Sequence, residues 1–176
     1  TTIGLHAGLG SRGLVAFGSP EQKAAWLPKM ATGEWIGAFC ATEPTAGSDL
    51  MGMKTQAEFC DEGIRINGEK IYVTNGGIAT VFTVVTMVEG LGHMLVLIRS
   101  DDRGVSTGQE ELKMGIQGSS TTSLYLDNVV VPRDRIIGEV GKGKQHLSHI
   151  LCWGRTAMAA GCHGTATTAL RQTLRH

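Results

Sequence analysis

The sequence predicts a mainly β domain, an antiparallel sandwich or barrel, flanked on both sides by α-helical segments. Three observations carry this prediction. At least six short apolar or alternating runs follow one another between residues 36 and 131, separated by Gly, Asn and Asp turn signals. The stretches before and after them switch to helical spacing. The length, 176 residues, is enough for one domain with a sizeable core and partial neighbours.

Residues 1–33 read as broken helix. Thr1 to Phe17 is Gly-rich and holds Gly8-Leu9-Gly10-Ser11-Arg12-Gly13. That GxGxxG needs a strand before it and a helix after it, and has neither, so dinucleotide binding is discounted. Ser19-Pro20-Glu21-Gln22 predicts a helix start, with Ser19 as N-cap, Pro20 in the first helical position and Gln22 closing a capping box. The predicted helix Pro20–Leu27 breaks at Pro28, with a further turn to Ala31 stopped by Gly33.

Strands are predicted at Ile36–Thr42 and Lys54–Cys60, then a hairpin turn at Asp61-Glu62-Gly63. Ile64–Ile66 resumes the strand, Asn67-Gly68 marks a second turn, and Lys70–Thr74 is a short strand closed by Asn75-Gly76-Gly77. Val81–Val88 and Met94–Arg99 read as two buried strands. Val105–Gly108 and Glu111–Met114 are weaker, and Thr122–Val131 alternates up to Pro132. From about Gln145 to Leu174, Leu147, Ile150, Leu151, Met158, Cys162 and Leu170 recur at helical spacing, with Gly154, Gly161 and Gly164 allowing a close neighbour or marking where a backbone approaches a ligand. The organisation is therefore 1–34 helical, 35–138 β and 139–176 helical. The chain lacks an initial Met and ends inside a helical pattern, and is expected to be a piece of a longer protein.

Formal net charge is zero, which argues against a nucleic-acid binder. No apolar run reaches membrane-spanning length, and no signal peptide is read at the start. The four cysteines (Cys40, Cys60, Cys152, Cys162) form no CxxC pair and read as reduced, buried small hydrophobes of an intracellular protein. The histidines show neither ligand spacing beside them nor a nucleophile–base–orienter arrangement, so neither a metal site nor a hydrolase triad is expected.

The chemistry concentrates in Phe39-Cys40-Ala41-Thr42-Glu43-Pro44-Thr45-Ala46-Gly47-Ser48-Asp49. An apolar strand end runs into hydroxyls, a proline and a glycine. N–H groups around Ala46 to Asp49 would converge on an anionic or carbonyl oxygen, or the stretch is only a well-made surface turn. Thr42 and Thr74 each close a strand. Together with Tyr72 they would form a rim of hydroxyls beside a ring, suited to a flat heteroaromatic ligand; Thr is also simply common in strands. Arg155 sits in an apolar helix and either meets a phosphate or snorkels to water. The hydroxyl-rich stretch Lys113 to Thr122 is a ligand lid or a linker.

Taken in order, these pieces resemble the acyl-CoA dehydrogenase family, nearest its long-chain or very-long-chain branch. The motifs are Thr42-Glu43-Pro44-x-Ala46-Gly47-Ser48-Asp49 and Asn67-Gly68-Glu69-Lys70-Ile71-Tyr72-Val73-Thr74-Asn75-Gly76-Gly77. They continue with Lys113-Met114-Gly115-Ile116, Ser119-Ser120-Thr121-Thr122, Asp127-Asn128-Val129-x-Val131-Pro132, Gly138-Glu139 and Gly154-Arg155. Pro20-Glu21-Gln22-Lys23, Leu27-Pro28-Lys29 and Thr32-Gly33-Glu34 extend the likeness forwards.

The resemblance implies a subunit with an N-terminal helical domain, a middle β-domain and a C-terminal helical bundle. This chain would hold the end of the first (1–34), all of the second (35–138) and the start of the third (139–176). It implies FAD as cofactor, with Phe39, Ala41, Thr42, Gly47, Ser48, Tyr72, Val73 and Thr74 at the flavin and Ser48 and Arg155 at the substrate. It implies α,β-dehydrogenation of a fatty acyl-CoA thioester, electron-transfer flavoprotein as acceptor and a homo-oligomer. The implied compartment is the cytoplasm in a bacterium and the mitochondrial matrix in a eukaryote. Two departures stand out. Tyr72 replaces the family's usual Trp, and the helix reading Cys152-Trp153-Gly154-Arg155 has no acid where a minority of members place the catalytic Glu. The base is therefore expected beyond His176, and partners for the FAD adenine from the later bundle and a neighbouring subunit. An acyl-CoA oxidase of the same fold, or a non-catalytic β-domain binding module, are the alternatives.

Overall fold

The computed structural model describes residues 2–175. Helix α1 (Thr2–Leu5) runs through a π-helical segment, His6–Gly10, into α2 (Ser11–Phe17) and then α3 (Pro20–Ala31). The capping box at α3 forms as the sequence predicts: Gln22 N–H donates to Ser19 Oγ (3.1 Å) and Ser19 N–H to Gln22 Oε1 (2.9 Å). The Gln22 amide also donates to the Asp134 and Ile136 carbonyls, tying α3 to the far end of the β-domain. The break expected at Pro28 does not occur. Pro28 removes one helical N–H, but its own carbonyl accepts from Thr32 (3.1 Å), and Met30, buried in the core, anchors the last turn.

Eight strands follow: β1 (Gly37–Cys40), β2 (Gln56–Cys60), β3 (Gly63–Thr74), β4 (Val81–Val88), β5 (Gly92–Arg99), β6 (Val105–Thr107), β7 (Thr121–Val131) and β8 (Ile136–Ile137). They form one sheet in the order β6-β7-β3-β2-β4-β5-β8, with β1 also on β4. The pairings are antiparallel except two: β1 and β2 both run parallel to β4. This makes the expected antiparallel sheet a mixed one. Since β5 takes one edge of β4 along its whole length, β1 and β2 share the other. Residues 37–40 pair with 81–84, and residues 56–57 with 87–88. Residues 41–55 therefore leave the sheet between two strands that lie on the same edge.

Two predicted strand features are corrected. Asn67-Gly68 is not a turn but a bulge inside one continuous β3, at a register shift against β7. Asn67 Oδ1 accepts the Asn128 N–H (2.8 Å), and a Cβ on Gly68 would lie 2.5 Å from Thr55 Oγ1, so glycine is required by close approach. Glu111–Met114 is loop, and β6 is confined to three residues.

Alternation on the central strands produces two cores. Phe82, Val84 and Val88 of β4 and Met94, Val96 and Ile98 of β5 face Ile64, Ile66, Leu124 and Val129, so the sheet curls around a first cluster. Val81, Val85, Leu95 and Leu97 face the helices and meet Leu14, Met30, Leu147 and Ile150 in a second. Strands buried on both faces read as continuous apolar runs, which is why β4 and β5 were the plainest in the sequence.

The last element, α4 (Gly143–Thr173), buries His146, Leu147 and Ile150 and then leaves the body. Met158 and Leu170, on the predicted apolar stripe, are 68% and 60% exposed. The cysteines also depart from expectation: Cys40 is buried, Cys60 half-buried, and Cys152 and Cys162 are exposed, all as free thiols. Among the described residues no helix is long and apolar enough to cross a membrane.

The glycines of Gly8–Gly13 have a packing role. Gly10 lies against the Gly37 backbone, Gly8 against the Trp153 ring and Gly13 against Ile150. Gly154 in turn receives Leu9, whereas Gly161 and Gly164 meet nothing. A Cβ on Gly10 would stand 2.8 Å from the Gly37 carbonyl oxygen. Gly10→Ala is therefore expected to destabilise by about 1–3 kcal/mol, lowering the urea midpoint at unchanged slope. Gly161→Ala, in open space, should stabilise its helix by up to ~1 kcal/mol through propensity alone.

Candidate active site

The excursion between β1 and β2 is fixed by a buried ion pair. Lys70 Nζ lies 2.7 Å from Glu43 Oε1, with side-chain exposures of 0% and 2%. Glu43 Oε1 also accepts the Thr55 N–H (3.0 Å) and Oε2 the Lys54 N–H (2.5 Å), while Lys70 Nζ reaches the Ala41 carbonyl (3.4 Å). One carboxylate thus joins the start of the excursion, its end and β3. Burial alone pushes the Glu43 carboxyl up; the Lys70 ammonium, with Thr55 and Lys54, outweighs it and holds the group below the ordinary carboxylate range. Burial also holds Lys70 below its ordinary value, against the pull of Glu43. With its oxygens engaged, Glu43 is structural rather than a proton acceptor. Beside it, burial pushes the Cys40 thiol well up, so that thiol is inert.

Inside the excursion Glu43 and Ala46 exchange backbone hydrogen bonds (2.9 and 3.2 Å). The Ala46 N–H is thereby committed and drops out of the row of amides expected around Ala46 to Asp49. Thr42 offers its carbonyl to the Ile71 N–H (2.9 Å), which sets the two threonine-bearing strand ends side by side.

β3 has a second register shift, between Lys70 and Val73, and within it Tyr72 takes φ 55°. A left-handed conformation is costly for a bulky residue, and such strain collects at functional sites. The bulge turns the Tyr72 ring out of the ladder, where it stands 63% exposed. Asn75, also left-handed at φ 70°, closes the strand; its Nδ2 donates to the carbonyls of Gly37 (3.2 Å) and Thr2 (3.1 Å). That residue holds the tail of the N-terminal helices against the end of β3, next to Thr74.

These devices open a cleft of about 410 Å³, within the roughly 300–1,000 Å³ usual for small-molecule sites. Phe39, Ala41, Thr42, Gly47, Ser48, Tyr72, Thr74 and Arg155 all line it, as the sequence reading expects of one site. Leu5, Leu9, Leu50, Ile71 and Leu151 supply apolar walls that sequence reasoning missed. Val73 is the exception: its side chain is buried in the first core cluster and points away from the cleft. The bulge interrupts regular alternation here: Ile71, Tyr72 and Thr74 line the cleft, while Val73 faces the core. No acid lines the cleft among the described residues, and no group of His, Cys, Asp and Glu there is placed to hold a metal. The Lys113–Thr122 loop stands beside Asn75, whose N–H donates to the Ser120 carbonyl (2.9 Å), but it does not line the cleft. A larger hollow, about 570 Å³ between α3 and the Asp134–Gly138 segment, takes in the motif residues Glu21, Gln22 and Gly138 but none of the residues expected at the flavin or the substrate.

Three hydroxyls on the rim, an aromatic ring on one side and an apolar floor suit a flat ring with a polar edge. Arg155 adds a cation at the α4 end. Known proteins share this arrangement of chain. The profile described as acyl-CoA dehydrogenase, N-terminal domain, matches residues 1–34, and that of acyl-CoA dehydrogenase, middle domain, matches residues 38–129. The chain belongs to the acyl-CoA dehydrogenase family. A probable acyl-CoA dehydrogenase of Bacillus subtilis is 44% identical over 94% of the chain and 28% of its own length. The mitochondrial very long-chain specific acyl-CoA dehydrogenase of Homo sapiens is 37% identical over 99% of the chain and 28% of its own. Among solved structures, an acyl-CoA dehydrogenase complexed with FAD from Bacillus anthracis superposes with a TM-score of 0.92 at 42% identity, covering 96% of this chain and 30% of that one. Butyryl-CoA dehydrogenase from Megasphaera elsdenii gives 0.94 at 34%, covering 99% and 47%. The chain thus spans about 28% of the length of the dehydrogenases from Bacillus subtilis and Homo sapiens.

Removing one partner of the buried pair leaves the other charge unpaired. Lys70→Met is therefore expected to destabilise by about 3–5 kcal/mol, read from chemical unfolding. The pH sign follows from the lowered Glu43 value. Its stabilisation is complete above the ordinary carboxylate pKa, about 4.3, and is lost as pH falls through the lower folded value. The urea midpoint should fall more gently on acidification in Glu43→Gln than in the unsubstituted chain.

Proposed function

We propose that these residues form the central part of a FAD-dependent acyl-CoA dehydrogenase subunit, with 1–34 ending its N-terminal helical domain, 35–138 its middle domain and 139–176 opening its helical bundle. The observation that carries this reading is the single cleft joining Thr42, Ser48, Tyr72, Thr74 and Arg155. The substrate is a fatty acyl-CoA thioester, and the sequence likeness to very long-chain enzymes supports a long acyl chain.

The reaction is α,β-dehydrogenation: a proton leaves the α-carbon for a carboxylate base and a hydride leaves the β-carbon. When bound, FAD supplies the hydride acceptor. The residues of this chain bind and orient. Thr74 and Thr42 offer hydroxyls to the polar edge of the flavin ring, and Tyr72 covers its face in place of a tryptophan. Phe39 and Ala41 line the ring, with Val73 contributing backbone only. Ser48 and Gly47 stand at the cofactor phosphates and the thioester, and Arg155 neutralises the CoA moiety. Leu50, Ile71 and Leu151 keep water from the site. Among the described residues no acid lines the cleft and Glu43 is held by Lys70, which supports a base beyond His176. Electron-transfer flavoprotein is the acceptor and the subunit is a homo-oligomer. The compartment follows the relatives: cytoplasm in a bacterium, mitochondrial matrix in a eukaryote.

The test is anaerobic addition of a long-chain acyl-CoA to the flavin-loaded, full-length subunit. Bleaching of the visible flavin bands is expected; flavin that binds and stays oxidised would sink the dehydrogenase reading. Thr74→Val should weaken flavin binding by about 0.5–1.5 kcal/mol and slow reduction, measured by flavin titration and stopped-flow absorbance. Arg155→Ala should raise the Kd for the CoA ester more than that for flavin; equal losses would make Arg155 structural.

A further inference from the structure

We propose that the buried Lys70–Glu43 pair is a positioning device for the reaction, setting the register of residues 42–48 against Tyr72 and Thr74. This rests on the reading of the cleft as a flavin and thioester site. Neither side chain lines the cleft, so neither is a catalytic residue. Both stand directly behind it.

The geometry is more directional than packing needs. Glu43 follows Thr42 and precedes the turn that carries Gly47 and Ser48, and its carboxylate accepts from Lys54 and Thr55 where the excursion rejoins the sheet. Lys70 lies two residues before Tyr72 and four before Thr74, on the strand whose bulge turns the Tyr72 ring outward. The ammonium also reaches the carbonyl of Ala41, the residue before Thr42. The pair therefore joins the two chain segments that supply the hydroxyl rim, through bonds of fixed direction. A pair of apolar side chains would fill the same volume and leave the two segments free to slide by fractions of an ångström. Stability alone does not call for the pair, because replacing a buried ion pair by apolar residues is commonly neutral or favourable. Placement of reacting groups does, because a displacement of about 1 Å costs on the order of 100-fold in rate.

The experiment uses the full-length, flavin-loaded enzyme and compares Glu43→Gln, Lys70→Met and the double variant. The expected result is a double variant that, while folded, is reduced by a long-chain acyl-CoA about 10- to 100-fold more slowly at saturating flavin and substrate. Its visible flavin spectrum should shift as well. A double variant with the original reduction rate and spectrum, whatever its melting temperature, would make the pair purely structural and overturn the proposal. If the double variant does not fold, Glu43→Gln, which keeps its size and an acceptor oxygen, is judged by the same rate and spectrum. An unsubstituted enzyme that is not bleached by any acyl-CoA overturns the functional reading itself, and that outcome is visible before any variant is made.

Discussion

The site depends on one charge pair placed where charges are costly. Residues 41–55 leave the sheet from an edge of β4 that two parallel strands share, and a segment leaving in this way has no ladder to hold it. The Lys70–Glu43 contact replaces the missing ladder. It is anchored on β3, which pairs with β7 along most of its length and is among the most firmly held strands of the domain. A turn rich in hydroxyls and small residues thereby acquires the rigidity of the sheet behind it.

The cleft is also a meeting of layers. Its floor belongs to the curled sheet, and its walls to the N-terminal helices through Leu5 and Leu9 and to α4 through Leu151 and Arg155. The helices approach closely because glycines are placed where backbones meet: Gly10 on Gly37, and Gly154 under Leu9. The same alternation that buries β4 and β5 on both faces lets the first core stabilise the sheet and the second attach the helices, so both helical walls are fixed through one shared core.

Much of this was legible in the sequence, and the exceptions have physical reasons. β4, β5 and β7 declared themselves through apolar runs, and α3 through its capping box. The gathering of Thr42, Ser48, Tyr72, Thr74 and Arg155 was expected from motif order and the family resemblance. Asn67-Gly68 misled because a bulge and a hairpin turn ask for the same residues, and only the approach of Thr55 separates them. Pro28 misled because a proline one turn from a helix end loses little once Met30 is buried. The left-handed Tyr72 left no trace, since propensity favours Gly, Asn or Asp rather than tyrosine at positive φ. The burial of the Val73 side chain was not legible because a motif read as a string does not show which way each residue of a bulged strand turns. Lys70 had a faint signal, a lone cation at an inward position of an alternating run, but only the structure joins it to Glu43 across 27 residues.

For the 176-residue chain taken by itself, the bare half of α4 has a consequence for melting. At 31 residues the helix is about 46 Å long, and beyond Arg155 it is held mainly by its own hydrogen bonds. Gly161 and Gly164 lower its propensity there. Its outer turns therefore open on a free-energy scale set by helix–coil balance, while the sheet opens only with the whole domain. Heat or denaturant acts on two cooperative units of very different size, so helical ellipticity and the burial of Trp26 and Trp35 need not disappear together.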